Sequence, residues 1–151
     1  MKHDTLMMEQ LQRYYALWRE SDAMYEEWAK TQGLSLNSLL ILYSFYEDSA
    51  PCTQKRISQK WLIPKQTVNA ALKDFEAKEY IKLIPIETDK RNKQICLTVR
   101  GKTYADKIIS KLHTMELYVM EQVGLEKMKD MNDWLALFIE LFRKGENFKD
   151  V

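Results

Sequence analysis

Between residues 81 and 98, a chain otherwise patterned for helices changes its period. Two β-type runs, residues 81–86 and 94–98, flank a polar tip at 87–93. A lone two-stranded hairpin has too little apolar surface to be stable by itself, so the helices on either side must supply its core. The expected class is mainly α with a small β-hairpin (α+β), in the order α1-α2-α3-α4-β-β-α5-α6.

The helices can be placed from periodicity and breakers. Over residues 4–32, Leu11, Tyr14, Tyr15, Trp18, Met24, Tyr25 and Trp28 recur largely at three- and four-residue separations, the mark of a long amphipathic helix with an aromatic stripe. Gly33 suits its C-terminal left-handed position, and Ser35 suits the next N-cap, with Leu34 and Leu39 as a staple around it. A very apolar helix over 36–47 should lie deep in the core. Residues 48–51 (Asp-Ser-Ala-Pro) break it, and Thr53 can cap a short helix over 54–61, with Cys52 at the staple position opposite Ile57. Pro64 fits the first turn of a helix running to about 78, whose inward stripe is Val68, Ala71, Leu72 and Phe75. After the hairpin, Thr98 can cap a long helix to Val123. Gly124 ends it, and a last helix over 125–144 carries Met128, Met131, Trp134, Leu135, Phe138, Leu141 and Phe142 on its apolar side.

Charge is distributed unevenly along this layout. The whole chain is only +1, yet residues 53–102 hold twelve Lys or Arg against five acids, a local excess of +7 that leaves −6 for the remainder. A basic module between acidic flanks is the arrangement expected when one face must meet a phosphate backbone. No run of eighteen apolar residues occurs, and no apolar signal segment precedes a small-residue cleavage site, so a cytoplasmic protein without a membrane partner is expected. Cys52 and Cys96 are too few for a disulfide framework.

A short helix, a tight turn, a second helix with small polar outward residues and a charged hairpin make a winged helix-turn-helix. The second helix then lies in the major groove of double-stranded DNA, and the hairpin reaches a neighbouring minor groove or the backbone. On the second helix Lys65, Gln66, Thr67, Asn69, Ala70 and Lys73 fall outside the inward stripe. Gln66 and Asn69 can pair with an adenine edge, Thr67 can donate or touch a thymine methyl, and Lys65 can reach guanine or a phosphate. Thr53, Gln54 and Lys55 open the preceding helix, and Asp89, Lys90, Arg91 and Lys93 form the wing tip.

The segments Thr53-Gln54-Lys55-Arg56-Ile57-Ser58-Gln59-Lys60 and Pro64-Lys65-Gln66-Thr67-Val68-Asn69, followed by Asp89-x-Arg91 and Leu97-Thr98-x-x-Gly101, resemble the MarR family of bacterial transcription regulators. Asp-x-Arg alone is common. Its offset from the other elements makes the combination specific, and helix order extends the resemblance over nearly the whole chain. The resemblance implies a homodimer joined through its terminal helices (1–33 and 101–151), with a DNA-binding lobe at 34–100 within a single domain of 1–151. It implies binding to a pseudo-palindromic operator, as a repressor, with Arg91 entering the minor groove while Asp89 holds it. An arginine fork suits the negative potential of a narrow groove.

The family often takes small aromatic or phenolic effectors between the dimerisation helices and the DNA-binding lobe, which makes Tyr14, Tyr15, Trp18 and Tyr43 candidates for a pocket. The same residues at helical spacing also suit core and interface packing. The chain departs from the family pattern at Glu79, where a glycine often ends the recognition helix, and in the turn Trp61-Leu62-Ile63, which lacks the usual glycine.

Other functions are weighed from the same residues. Only His3 and His113 are present, so no metal or other cofactor is expected. Four glycines form no phosphate-cradling loop, and no nucleophile–base constellation stands out, so an enzyme is not expected. The alternatives are a winged-helix protein-interaction module without DNA binding and a cysteine-based redox-sensing regulator. For the latter, Cys52 near Lys55 and Arg56 at a helix N-terminus is the candidate thiol.

Overall fold

The computed structural model describes residues 2–47 and 52–145. The expected chain break at 48–51 lies outside the described residues. Six helices and one antiparallel hairpin follow in the order α1 (Lys2–Thr31), α2 (Leu36–Glu47), α3 (Gln54–Trp61), α4 (Lys65–Ala77), β1 (Ile81–Ile86), β2 (Asp89–Leu97), α5 (Val99–Val123) and α6 (Leu125–Gly145). The chain divides into two compact units, residues 1–108 and 109–151.

In the first unit the core is built around α2 and α4. Leu39, Ile41 and Leu42 of α2 are buried, as are Val68, Leu72 and Phe75 of α4, Ile57 of α3, Ile81 of β1 and Ile95 of β2. Helix α2 packs on α1, α3 and α4, and α4 also packs on α3 and β1, while α3 touches β2. The three buried positions of α4 recur at four- and three-residue spacing. One stripe faces inward, and the opposite face is left to solvent.

Local chemistry sets the boundaries. Gly33 has φ of 76°, and the Leu34 N–H returns to the Ala29 carbonyl at 3.0 Å, which closes α1 as a left-handed cap. The Ser38 N–H donates to Ser35 Oγ at 3.1 Å, and the Arg56 N–H to Thr53 Oγ1 at 3.2 Å, so both hydroxyls cap as their positions required. Two residues that are not glycine take left-handed backbone, Leu62 at φ 54° and Glu79 at φ 61°. These are the two places where the usual glycine is absent. Each L side chain there costs about 1–2 kcal/mol, held by the packing on either side.

The hairpin differs from its expected outline. The second strand starts at Asp89 rather than 94, and the reversal is only the pair Glu87 and Thr88. Pairing is regular from Ile81↔Leu97 to Pro85↔Lys93 and then jumps to Ile86↔Asp89. Residues 90–92 therefore form extra length on β2 with no partner opposite. Pro85 has no N–H to give to the ladder, so regular pairing fails beside it and the surplus bulges outward. A further element was not foreseen: Thr53 bridges Gln94 antiparallel, and the Ile95 N–H donates to the Cys52 carbonyl at 2.8 Å. The residues before α3 thus act as a short third edge of the sheet.

The second unit contains the rest of α5 and all of α6. Gly124, at φ 92°, separates the two helices. None of α6 is buried, although Trp134, Leu135, Phe138, Leu141 and Phe142 lie at the spacing of one helical face.

Candidate nucleic-acid interface

Helices α3 and α4 are joined by a turn that α3 itself stabilises. Ser58 Oγ donates to the Ile63 carbonyl at 2.6 Å, and the Ile63 N–H returns to the Ser58 carbonyl at 3.2 Å. Gln54 Nε2 donates to the Lys65 carbonyl at 3.0 Å, which fixes the start of α4 against the start of α3. Thr53 is buried and committed to its cap. Two residues expected at the DNA surface are therefore spent on holding the motif together, and Lys55 is the exposed member of that group.

On α4, Lys65, Gln66, Ala70 and Lys73 are exposed, and Thr67 and Asn69 are half-buried. Burial of Val68, Leu72 and Phe75 on the other side forces this arrangement. Pro64 precedes the helix without a side-chain cap, so the first-turn N–H groups remain open at the positive end of the helix dipole. At the wing, the Arg91 N–H donates to Asp89 Oδ1 at 3.1 Å. Asp89 thus holds the backbone of the bulge rather than the guanidinium, leaving the arginine fork open. Arg91 and Lys93 are exposed, and the side chain of Lys90 lies outside the described part.

Pairing separates the cations of this basic stretch. Lys78 is matched by Asp74 at 2.8 Å and Lys102 by Asp106 at 3.0 Å. The bond to Asp74 raises the Lys78 ammonium above its ordinary value. Among the described residues, Lys55, Lys65, Lys73, Arg91 and Lys93 enter no ion pair. These are the positions on the outer faces of α3, α4 and the wing.

A model of the MarR family matches residues 32–92, from the end of α1 through the bulge of the wing. The HTH-type transcriptional regulator SarZ of Staphylococcus epidermidis is 30% identical over 89 residues, 59% of this chain and 60% of SarZ. The chain thus matches under two thirds of that relative's length. Among solved structures, NMB1585, a MarR family regulator from Neisseria meningitidis, superposes with a TM-score of 0.79 at 25% identity, over 93% of this chain and 99% of that one. Residues 32–92 thus resemble MarR family regulators in sequence, and the chain shares the fold of such regulators. The fold extends to S. aureus MepR, solved as a DNA complex, with a TM-score of 0.68 at 20% identity over 87% of this chain and 96% of MepR.

Two non-local junctions beside these elements have no signal in the sequence. At the end of α3, Trp61 Nε1 donates to Ser44 Oγ at 2.6 Å, and Ser44 Oγ donates in turn to the Leu40 carbonyl at 3.0 Å. Ser44 is a buried polar residue of α2, and the bond to Trp61 satisfies it. Tyr43 meets Trp61 edge-on at 6.1 Å. The second junction, at the root of the wing, stacks Tyr80 on Tyr104 with centroids 4.2 Å apart and planes 8° from parallel. Burial, then the neighbouring Tyr80, lifts the Tyr104 phenol above its ordinary value, so it stays neutral near pH 7. No spacing rule links residues 24 apart, and only the fold brings them together.

The candidate pocket residues are dispersed in kind. Tyr14 is half-buried beside Tyr15 at 5.7 Å, Tyr15 and Trp18 are exposed, and Tyr43 is half-buried against Trp61. Cys52 and Cys96 are not joined in a disulfide, and both are half-buried. Among the described residues no group of three His, Cys, Asp or Glu is placed to hold a metal, and no helix is long and apolar enough to cross a membrane.

Proposed function

We propose that this chain is a sequence-specific DNA-binding transcriptional regulator that acts as a homodimer on a pseudo-palindromic operator, most simply as a repressor. The observation that carries the reading is the sorting of its cations. Lys78 and Lys102 are matched by Asp74 and Asp106, whereas Lys55, Lys65, Lys73, Arg91 and Lys93 are exposed and, among the described residues, enter no ion pair on the elements that a winged helix presents to DNA.

In this reading residues 34–100 form the DNA-binding lobe. Gln66 and Asn69 of α4 read base edges, Lys65 and Lys73 anchor phosphates, and Thr67 and Ala70 offer small contacts to thymine methyls. Thr53 and Gln54 serve the interface by fixing its geometry. The bulge at residues 90–92 carries Arg91 into or along the minor groove, with Asp89 setting the backbone that aims it. MepR, which shares the fold, has been solved in complex with DNA, which supports DNA as the partner.

Helices in 1–33 and 101–151 supply the dimer contact. Exposed Trp134, Leu141 and Phe142 on α6, with Leu117 and Tyr118 on α5, form more apolar surface than a soluble monomer ordinarily leaves open. A small aromatic effector held by Tyr14, Tyr15, Trp18 and Tyr43 would act through the Tyr43–Trp61 contact on the α3–α4 turn. The reading is tested by titrating the purified protein with the duplex upstream of its own gene and with a scrambled duplex of equal length. Preference for the upstream duplex of at least a hundredfold is expected, and equal affinity for both would refute sequence-specific regulation.

A further inference from the structure

Two strands alone are marginally stable and have no fixed direction, so the wing takes its aim from whatever grips its root. The bridge from residues 52–53 holds β2. The other strand, β1, is held through Tyr80, where the end of α4, the start of β1 and the start of α5 converge. Thr98 Oγ1 donates to the Glu79 carbonyl at 2.6 Å with the Tyr80 carbonyl at 3.2 Å, and the Thr98 N–H also donates to the Tyr80 carbonyl at 3.0 Å. Its hydroxyl accepts in turn from the Gly101 N–H at 2.9 Å. A Cβ on Gly101 would lie 1.8 Å from the Tyr80 carbonyl oxygen, so α5 can approach this closely only with glycine there.

The side chains repeat the convergence. The Tyr80 ring is stacked on Tyr104, and the Arg100 guanidinium, one turn earlier on α5, lies over the same ring at 5.5 Å. Tyr104 is half-buried and its hydroxyl has no part in the stack's geometry. Leverage makes this junction consequential. Six residues of β1 span about 20 Å, so a tilt of about 10° at Tyr80 would displace the tip by about 3 Å. That is enough to take an arginine out of a narrow groove.

From this geometry we infer that Tyr104, through its stack on Tyr80, is a positioning residue for the wing: it fixes the direction in which Arg91 is presented. The inference rests on the DNA-binding reading for its consequence but not for its structural content. Full-length Tyr104→Leu should bind the operator at least tenfold more weakly while melting within a few degrees of the parent. Tyr104→Phe, which keeps the ring, should bind within twofold of the parent.

A purely structural role would leave the penalties of Tyr104→Leu and Arg91→Ala independent. Positioning makes them overlap, so the double variant should bind within about twofold of Tyr104→Leu alone. Amide hydrogen exchange reads the same point without DNA. In Tyr104→Leu, exchange at the hydrogen-bonded ladder amides within residues 81–84 and 93–97 should accelerate at least tenfold while α4 amides hold their rates. Unchanged wing exchange, uniform acceleration across the chain, or additive binding penalties would each overturn the inference. If no duplex is bound but the wing loosens as expected, the DNA reading fails and the positioning role stands.

Discussion

Helices α4 and α6 carry apolar stripes of similar regularity, yet they end in opposite environments. Val68, Leu72 and Phe75 of α4 are 0%, 2% and 1% exposed, whereas on α6 Trp134, Leu141 and Phe142 are 69%, 56% and 64% exposed. The first stripe finds its partners in α2, α3 and β1 of the same chain. Along the second no residue is fully buried. Periodicity therefore identifies an apolar face, and the surrounding chain decides whether that face is covered. For this molecule the contrast separates a stripe covered within the chain from a stripe left exposed on it.

Substitutions in the two stripes should part sharply. Phe75→Ala opens a cavity in a closed core and should cost about 3–5 kcal/mol of unfolding free energy, read by urea denaturation. A loss below about 1 kcal/mol would mean that the α4 stripe is not a packed core. Trp134→Glu places a charge on the open stripe of α6. If that stripe is the dimer contact, sedimentation should show dissociation at least about a hundredfold easier, on the order of 3 kcal/mol, with helical content retained. An unchanged association state would move the dimer contact elsewhere.

The smallest expected effect is at the α3–α4 turn. Leu62 is 89% exposed with left-handed backbone, so Leu62→Gly removes a strain of about 1 kcal/mol and loses little packing. The added freedom of glycine in the unfolded chain offsets part of that gain. A net stabilisation of a few tenths to 1 kcal/mol in the same denaturation assay is expected. A marked destabilisation would show that the leucine side chain itself supports the turn.

The reach of the sequence follows the range of the interactions. Gly33, Ser35, Thr53 and Thr98 act on backbone groups within a few residues, and the helix limits they set agree with the structure to within about two residues. Glu79 and Leu62 were legible for the same reason, since a missing glycine at a left-handed position is a local anomaly. The extent of β2 was not, because the jump at Pro85 depends on pairing across the hairpin. Nor was the third edge at Thr53, which needs Gln94 beside it.

At the candidate interface the identity of the outward residues on α4 was readable from the inward stripe. The cap at Thr53 was readable too, but the duty of Gln54 was not, because it is decided by the Lys65 carbonyl met in the folded chain, and Asp89, expected to hold Arg91, takes its backbone N–H and not its guanidinium. Tyr80 and Tyr104 escaped notice altogether. Their contact is made by the fold and has no periodic trace.

The central claim is that unpaired cations on α3, α4 and the wing meet DNA phosphates and that Arg91 adds a groove contact. The salt dependence of operator affinity, measured for the parent and for Arg91→Ala, tests it most directly. The account expects log affinity to fall by several units per unit of log salt in the parent, with the slope reduced by roughly one for each Arg91 removed and the preference among operators varied at the bases facing Gln66 and Asn69 retained. An affinity insensitive to salt, or an Arg91→Ala variant indistinguishable from the parent, would contradict it.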